Sequence, residues 1–239
     1  MKTSNIILLS LFITGIAWQI VYDSLAVSVV RDIDNKHTPR YGYLLNNKTT
    51  IKPGDFDTLL ILTDGGIRIN IRPGVSNTMY VSDGLDEYFR YSLTGRTLKL
   101  DISQPKSVED QSITLEINSL QTITTVHSYA DGWTSRYDLH LEELKWPQLQ
   151  INAWFPSTIY LENCTFRKLG INSQLRQEIN SNWGVNLTAD NQVDSLKLNI
   201  TGSGNVSLEN CGRKFNQILL SDSVRLNASL PVIQKIVGK

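Results

Sequence analysis

The sequence predicts an all-β fold: a right-handed parallel β-helix, or solenoid-like body, preceded by an N-terminal transmembrane helix. Three observations predict it. An uncharged apolar run of 17 residues, Ile6–Tyr22, lies near the start of the chain. From Phe56 onward, short stretches alternate apolar and polar residues, with turn signals every 8–15 residues. The segment Leu-Glu-Asn-Cys occurs twice, at 161–164 and 208–211, an offset of 47 residues.

The apolar run reads as a signal anchor. A spanning helix needs about 20 apolar residues, with about 17 as the lower limit. Trp18 and Tyr22 sit at its outer end, where amphipathic rings favour the membrane interface. A cleaved signal peptide is the competing reading, but its apolar core is usually about 7–15 residues and ends in a small-x-small site. No Ala-x-Ala follows Tyr22. Lys2 and the terminal amine are the positive groups before the span, which places the N-terminus in the cytoplasm. The body is then extracytoplasmic, in the periplasm or at the cell surface.

The expected organisation is an anchor at 1–22, a linker at 23–50 and a β-solenoid domain at 51–239. The linker carries Arg31, Asp32, Asp34, Lys36, Pro39 and Arg40 with weak periodicity. Beyond it, Phe56–Leu62 is followed by the breaker Thr63-Asp64-Gly65-Gly66. Ile67-Arg68-Ile69-Asn70-Ile71-Arg72 then alternates strictly, the signature of a strand with one buried face. Pro73-Gly74 ends it. Met79–Val81, Tyr88–Leu93, Thr97–Ile102 and Ile113–Ile117 continue the series. Residues 138–149 read as one short helix, limited by Pro147.

The second half repeats. Leu187, Leu208 and Leu226 recur at 21 and 18 residues in similar strand patterns, so strands return at about 20 residues. That spacing predicts stacked β coils, with 47 residues equal to two coils. Two rungs separate Cys164 from Cys211 by roughly 9–10 Å at the usual strand spacing, beyond the limit of about 7 Å for a disulfide. Both cysteines are expected to be free and inward-facing. Of 19 Asn residues, 11 lie from Asn163 onward. Asn tolerates left-handed corners, and stacked Asn side chains bond along such a body. Asn47, Asn163, Asn186, Asn199, Asn205 and Asn227 form N-x-S/T sequons, glycan sites in a eukaryotic secretory protein.

Composition narrows the function classes. Lys+Arg and Asp+Glu both total 23, so the formal net charge is zero. A nucleic-acid binder neutralises phosphates with excess Lys and Arg, so no nucleic-acid partner is expected. No catalytic constellation stands out and no cofactor is expected. His37, His127 and His140 are the three histidines. Ser128 and Asp131 near His127 lack a G-x-S-x-G elbow. His127, His140, Asp131 and Asp138 match no zinc spacing, so no metal site is expected. Asp83, Asp86 and Glu87 cluster, as do Glu142 and Glu143; a glycosidase needs two carboxylates about 5–10 Å apart in a cleft.

Aromatic residues concentrate between 129 and 183. Trp133, Tyr137, Trp146, Trp154 and Trp183 are the candidate ligand-binding residues, because exposed rings stack on sugars or anchor a partner. The alternative is that they fill the core.

From Phe56 to about Leu230 the chain resembles the bacterial head GIN domain family, described as an auto-transporter adhesin head. The matching stretches are Phe56-Asp57, Gly66–Ile71 with Pro73-Gly74, Gly95–Leu100 and Leu120-Gln121-Thr122-Ile123. The family often has a Ser/Gly stretch where this chain has Ser128–Trp133. The resemblance implies an exported β-solenoid with no established catalytic residue. The expected function is therefore non-catalytic: binding, adhesion or scaffolding at the cell envelope, with the N-terminal helix in the membrane and an envelope glycan or protein as partner. The alternative is a polysaccharide lyase or hydrolase on the same scaffold.

Overall fold

A computed structural model describes residues 48–63, 66–85, 88–103, 111–127, 137–154, 158–174, 184–209 and 214–237. The anchor at 1–22 and most of the linker lie outside these residues. Among the described residues no helix is long and apolar enough to cross a membrane. Residues 48–239 belong to one compact unit.

The fold is all-β, built from two open mixed sheets. The nine-stranded sheet contains, in spatial order, β1 (Lys48–Ile51), β4 (Thr78–Ser82), β7 (Ser112–Ile117), β3 (Ile67–Pro73), β9 (Tyr137–Glu142), β11 (Thr158–Glu162), β13 (Gly184–Leu187), β15 (Gly204–Leu208) and β17 (Val224–Ala228). The eight-stranded sheet contains β16 (Lys214–Leu220), β14 (Gln192–Thr201), β12 (Thr165–Gln174), β10 (Lys145–Trp154), β8 (Thr122–His127), β2 (Thr58–Thr63), β6 (Thr97–Ile102) and β5 (Phe89–Thr94). A helix, α1 (Leu230–Val237), follows β17. The sequence reading did not anticipate it.

From β8 onward, successive strands alternate between the sheets, and each pairs in parallel with the strand two ahead. Each rung of the stack thus has one strand per sheet. Leu161 pairs with Leu187, and Leu187 with Leu208, so the two Leu-Glu-Asn-Cys segments begin two rungs apart.

The first strands depart from a simple coil. β2 lies between β6 and β8, and β3 between β7 and β9. The chain lays the β2–β3 rung first, places β6–β7 on one side of it, then crosses to the other side for β8–β9. β1, β4 and β5 pair antiparallel, contrary to an all-parallel expectation. The β5–β6 reversal has a local cause. Thr94 faces Thr97 across a two-residue loop, with Gly95 at φ 58°, and so short a loop can join only antiparallel neighbours.

Alternating residues of both sheets join one hydrophobic cluster. One inward ladder runs Ile113, Ile69, Leu139, Ile159, Val185, Val206, Leu226 across seven strands. The short helix expected at 138–149 is replaced by β9 and β10. Tyr137-Asp138-Leu139-His140-Leu141-Glu142 alternates buried and half-buried residues, and Glu143 turns the chain with φ 58°. Pro147 is tolerated because β8 pairs with β10 only from Gln150 onward, so the missing N–H breaks no bond to β8. Pro147 and Gln148 are both exposed, and the ladder passes from Trp146 to Gln148.

The corner at Asn163 accounts for the first copy of the repeated segment; Asn210 of the second lies outside the described residues. Asn163 sits at φ 54° between β11 and β12, the conformation that Asn tolerates best among residues with a Cβ. Cys164 is free and buried, and its thiol donates to the carbonyls of Leu141 and Glu162. Burial pushes that thiol up to about 11. Cys211 lies outside the described residues. The β13–β14 corner is longer, and buried Asn191 repairs it. Its Nδ2 donates to the Leu161 carbonyl at 2.7 Å, and its Oδ1 accepts from the Cys164 amide at 2.9 Å. Gly184 is required by close packing: a Cβ there would lie 1.7 Å from the Asn205 carbonyl oxygen.

Candidate functional site

The outer face of the eight-stranded sheet carries the candidate site. Three of its ten-residue strands share one local pattern: Leu149-Gln150-Ile151-Asn152 in β10, Leu169-Gly170-Ile171-Asn172 in β12 and Leu196-Lys197-Leu198-Asn199 in β14. The apolar residues point into the core, so the intervening residues form rows on the outer face. The register places Asn152, Asn172 and Asn199 side by side. Asn199 Nδ2 donates to Asn172 Oδ1 at 3.0 Å, and Gln150 Nε2 donates to Asn152 Oδ1 at 3.2 Å. The register thus lines the amides up as a ladder along the stack, with Asn172 and Asn199 bonded across strands and Gln150 bonded to Asn152 within β10. The sequence reading anticipated stacked Asn but missed this repeat, visible at offsets of 20 and 27 residues.

A second row runs Thr122, Gln150, Gly170, Lys197, Gln217. Gly170 leaves a notch in it. A cavity of about 350 Å³ opens there, lined chiefly by Gln121, Gln148, Gln150, Lys168, Ser195 and Lys197 around the glycine.

Trp154 stands at the end of β10 on the same outer face, 41% exposed. Its backbone is held from inside the protein. The Tyr137 hydroxyl donates to the Trp154 carbonyl at 2.9 Å and is bonded to Thr125 Oγ1. Burial raises the Tyr137 phenol well above its ordinary value, so it remains a hydroxyl donor.

The five candidate aromatics therefore divide. Trp154 is available to a ligand. Tyr137 is 1% and Trp146 5% exposed, so neither can stack on one, which corrects the sequence reading. Alternation in β9 and β10 turns both rings inward, and Trp146 Nε1 donates to the Asn118 carbonyl at 3.0 Å. Trp133 and Trp183 lie outside the described residues.

The outer face of the nine-stranded sheet is more self-contained. Arg72 Nη2 meets Glu116 Oε1 at 2.8 Å, and the Tyr80 hydroxyl donates to Glu116 Oε2 at 3.0 Å. Burial, then Glu116, raises the Tyr80 phenol. His140 stacks on Tyr160, ring centroids 4.6 Å apart, and burial with the nearby Arg68 lowers it to about 4. His127 ends β8 in the opposite sheet, while His37, Ser128 and Asp131 lie outside the described residues. Among the described residues no group of three or more His, Cys, Asp or Glu could hold a metal ion. Glu142 ends β9 and Glu143 turns the chain directly after it, so the two are consecutive residues of one corner rather than facing each other across a cleft. Asp83 sits in the turn after β4; Asp86 and Glu87 lie outside the described residues.

No family model matches the chain, and no curated protein matches it. Solved structures do resemble it. A candidate adhesin from Bacteroides fragilis has 15% identity and a TM-score of 0.47, covering 76% of this chain and 93% of that one. A candidate adhesin from Parabacteroides merdae has 16% identity and a TM-score of 0.35, covering 77% and 95%. A candidate lipid-binding protein from Parabacteroides distasonis has 15% identity and a TM-score of 0.33, covering 77% and 96%. At these identities and TM-scores the likenesses assign neither ligand nor partner to this chain.

Proposed function

We propose that this chain is a non-catalytic binding module of the cell envelope, of head GIN type. Its sheets form a right-handed β-solenoid, its N-terminal run anchors it in the membrane, and its body engages an envelope glycan from outside the cytoplasm. The observation that carries the binding reading is exposed Trp154 beside the amide ladder Asn152, Asn172 and Asn199. An aromatic face takes the apolar side of a sugar ring, and amides take its hydroxyls. The ladder repeats at about 4.8 Å, the strand spacing, which suits an extended polymer lying along the stack.

The rival reading is a carbohydrate-active enzyme. The cavity over Gly170 is lined by no carboxylate, so it does not supply an acid–base pair. The test is a glycan array with the full chain in detergent micelles, scored also for released reducing ends. Trp154→Ala is expected to weaken binding of the retained glycan about tenfold, the loss of one aromatic anchor. Unchanged binding would remove the face from consideration, and released ends would favour the enzyme.

A further inference from the structure

We propose that the notch over Gly170 is an anion subsite, which takes a carboxylate or sulfate on a sugar of an acidic polysaccharide. This rests on the glycan-binding reading and adds the ligand's charge to it. Lys168 lies beside Gln148 and Ser195, and Lys197 lies beside Gly170 on the next strand. The two lysines are diagonal neighbours, roughly 8 Å apart at Cα by strand and residue spacing. Both are exposed at the rim of the same cavity. Among the described residues neither pairs with a carboxylate, in contrast to Lys99, which meets Asp101 at 3.2 Å on the same sheet.

The rest of the lining fits an oxyanion bound to a sugar. Gln121, Gln148, Thr122 and Ser195 offer neutral donors, while the Gln150 amide is already bonded to Ile151 and Asn152, and no acid lines the cavity to repel an anion. Nearby outside it are Asp194, next to Ser195, and Arg167, next to Lys168, two exposed charges of opposite sign. Gly170 makes room for the Gln150 amide at the cavity floor. A Cβ there would fall 2.1 Å from Gln150 Oε1, so any side chain would push Gln150 into the cavity. The subsite lies on β10, β12 and β14, whose register is continuous through this region. A ring stacked on Trp154 and an anion held over Gly170 can belong to one polymer chain crossing the amide ladder.

The experiment compares oligogalacturonate, its carboxyl-reduced neutral form and a sulfated dextran for binding to the full chain in micelles, by calorimetry at low and high salt. Wild type is expected to prefer both acidic ligands at least about tenfold over the neutral one, the scale of one charge-assisted hydrogen bond. Salt should shrink the preference. The double variant Lys168→Gln with Lys197→Gln should erase it while leaving Trp154-dependent binding of the neutral form intact. Gly170→Asp should also erase the preference, by placing a negative charge in the subsite, and Lys99→Gln should change nothing. Equal binding of acidic and neutral forms, or a preference that survives the double variant, overturns the subsite. If no oligosaccharide binds at all, the glycan reading fails separately. Titration with galacturonate, followed by backbone amide shifts, then decides the subsite: shifts at Lys168, Gly170 and Lys197 that vanish in the double variant sustain it, and their absence overturns it.

Discussion

Ile159 and Leu226 stand on the same inward ladder, yet Ile159 is fully buried and Leu226 is 37% exposed. The alternation around both residues is the same kind of sequence. What differs is the neighbour. β11 is flanked on both sides, whereas β17 is an end strand. Burial in this architecture is conferred by the next rung, not by the residue's own pattern. At that end α1 inserts Val232 as a partial cover and leaves Leu230 67% and Ile233 42% exposed.

This contrast can be broken in graded steps. Gly184→Ala forces a Cβ to within 1.7 Å of the Asn205 oxygen, so interior rungs must separate. We expect it to cost about 4 kcal/mol, beyond the usual range for overpacking, as a drop in the urea midpoint. Next, Ile159→Ala should cost about 3 kcal/mol and Leu226→Ala about 1, because only the first leaves an enclosed cavity. Equal losses would abolish the distinction between interior and terminal rungs. Asn191→Ala strips the Leu161 carbonyl and the Cys164 amide of a shared partner, for about 2 kcal/mol. Thermal melts of that variant would show whether a repaired interior corner is worth as much as a core side chain.

The last test is a pH dependence. His140 is held at about 4 in the folded protein against an ordinary 6.5, by burial and then by Arg68. The unfolded chain therefore binds the proton more readily. Its contribution to stability is intact above pH 6.5 and is lost as pH falls from 6.5 to about 4. His140→Gln should flatten urea midpoints across that window, on top of a pH-independent offset from the lost ring stack on Tyr160.

Much of the strand content was legible because alternation writes burial directly into the chain, as in Ile67–Arg72. The Leu-Glu-Asn-Cys repeat was legible too, since a left-handed corner favours Asn at 163. The order of the first rungs was not. Apolar period records which face is buried, not which strand lies alongside, so nothing in Thr58–Thr63 distinguishes β6 from β8 as a neighbour. For the site, aromatic count misled. Tyr137 and Trp146 have the same composition signal as Trp154, and only their phase within β9 and β10 separates anchor from core. The amide ladder was readable in Leu-x-Ile-Asn and its variant Leu-x-Leu-Asn, but that requires aligning strands whose loops differ in length.

The interleaved first rungs also bear on the order in which the chain can complete itself. Ile67 pairs with Tyr137, 70 positions later (137 − 67), while Arg68 pairs with Ser112, 44 later (112 − 68). A chain emerging from its N-terminus, whether from a ribosome or through an export pore, can dock β3 against β7 well before β9 exists. Until β8 emerges for β2, and β9 from residue 137 for β3, these strands hold an open, apolar, hydrogen-bonding edge that could recruit another chain. The later rungs face no such wait, since each pairs with one about 20–30 residues away. Assembly of the whole body thus hinges on protecting one early seam.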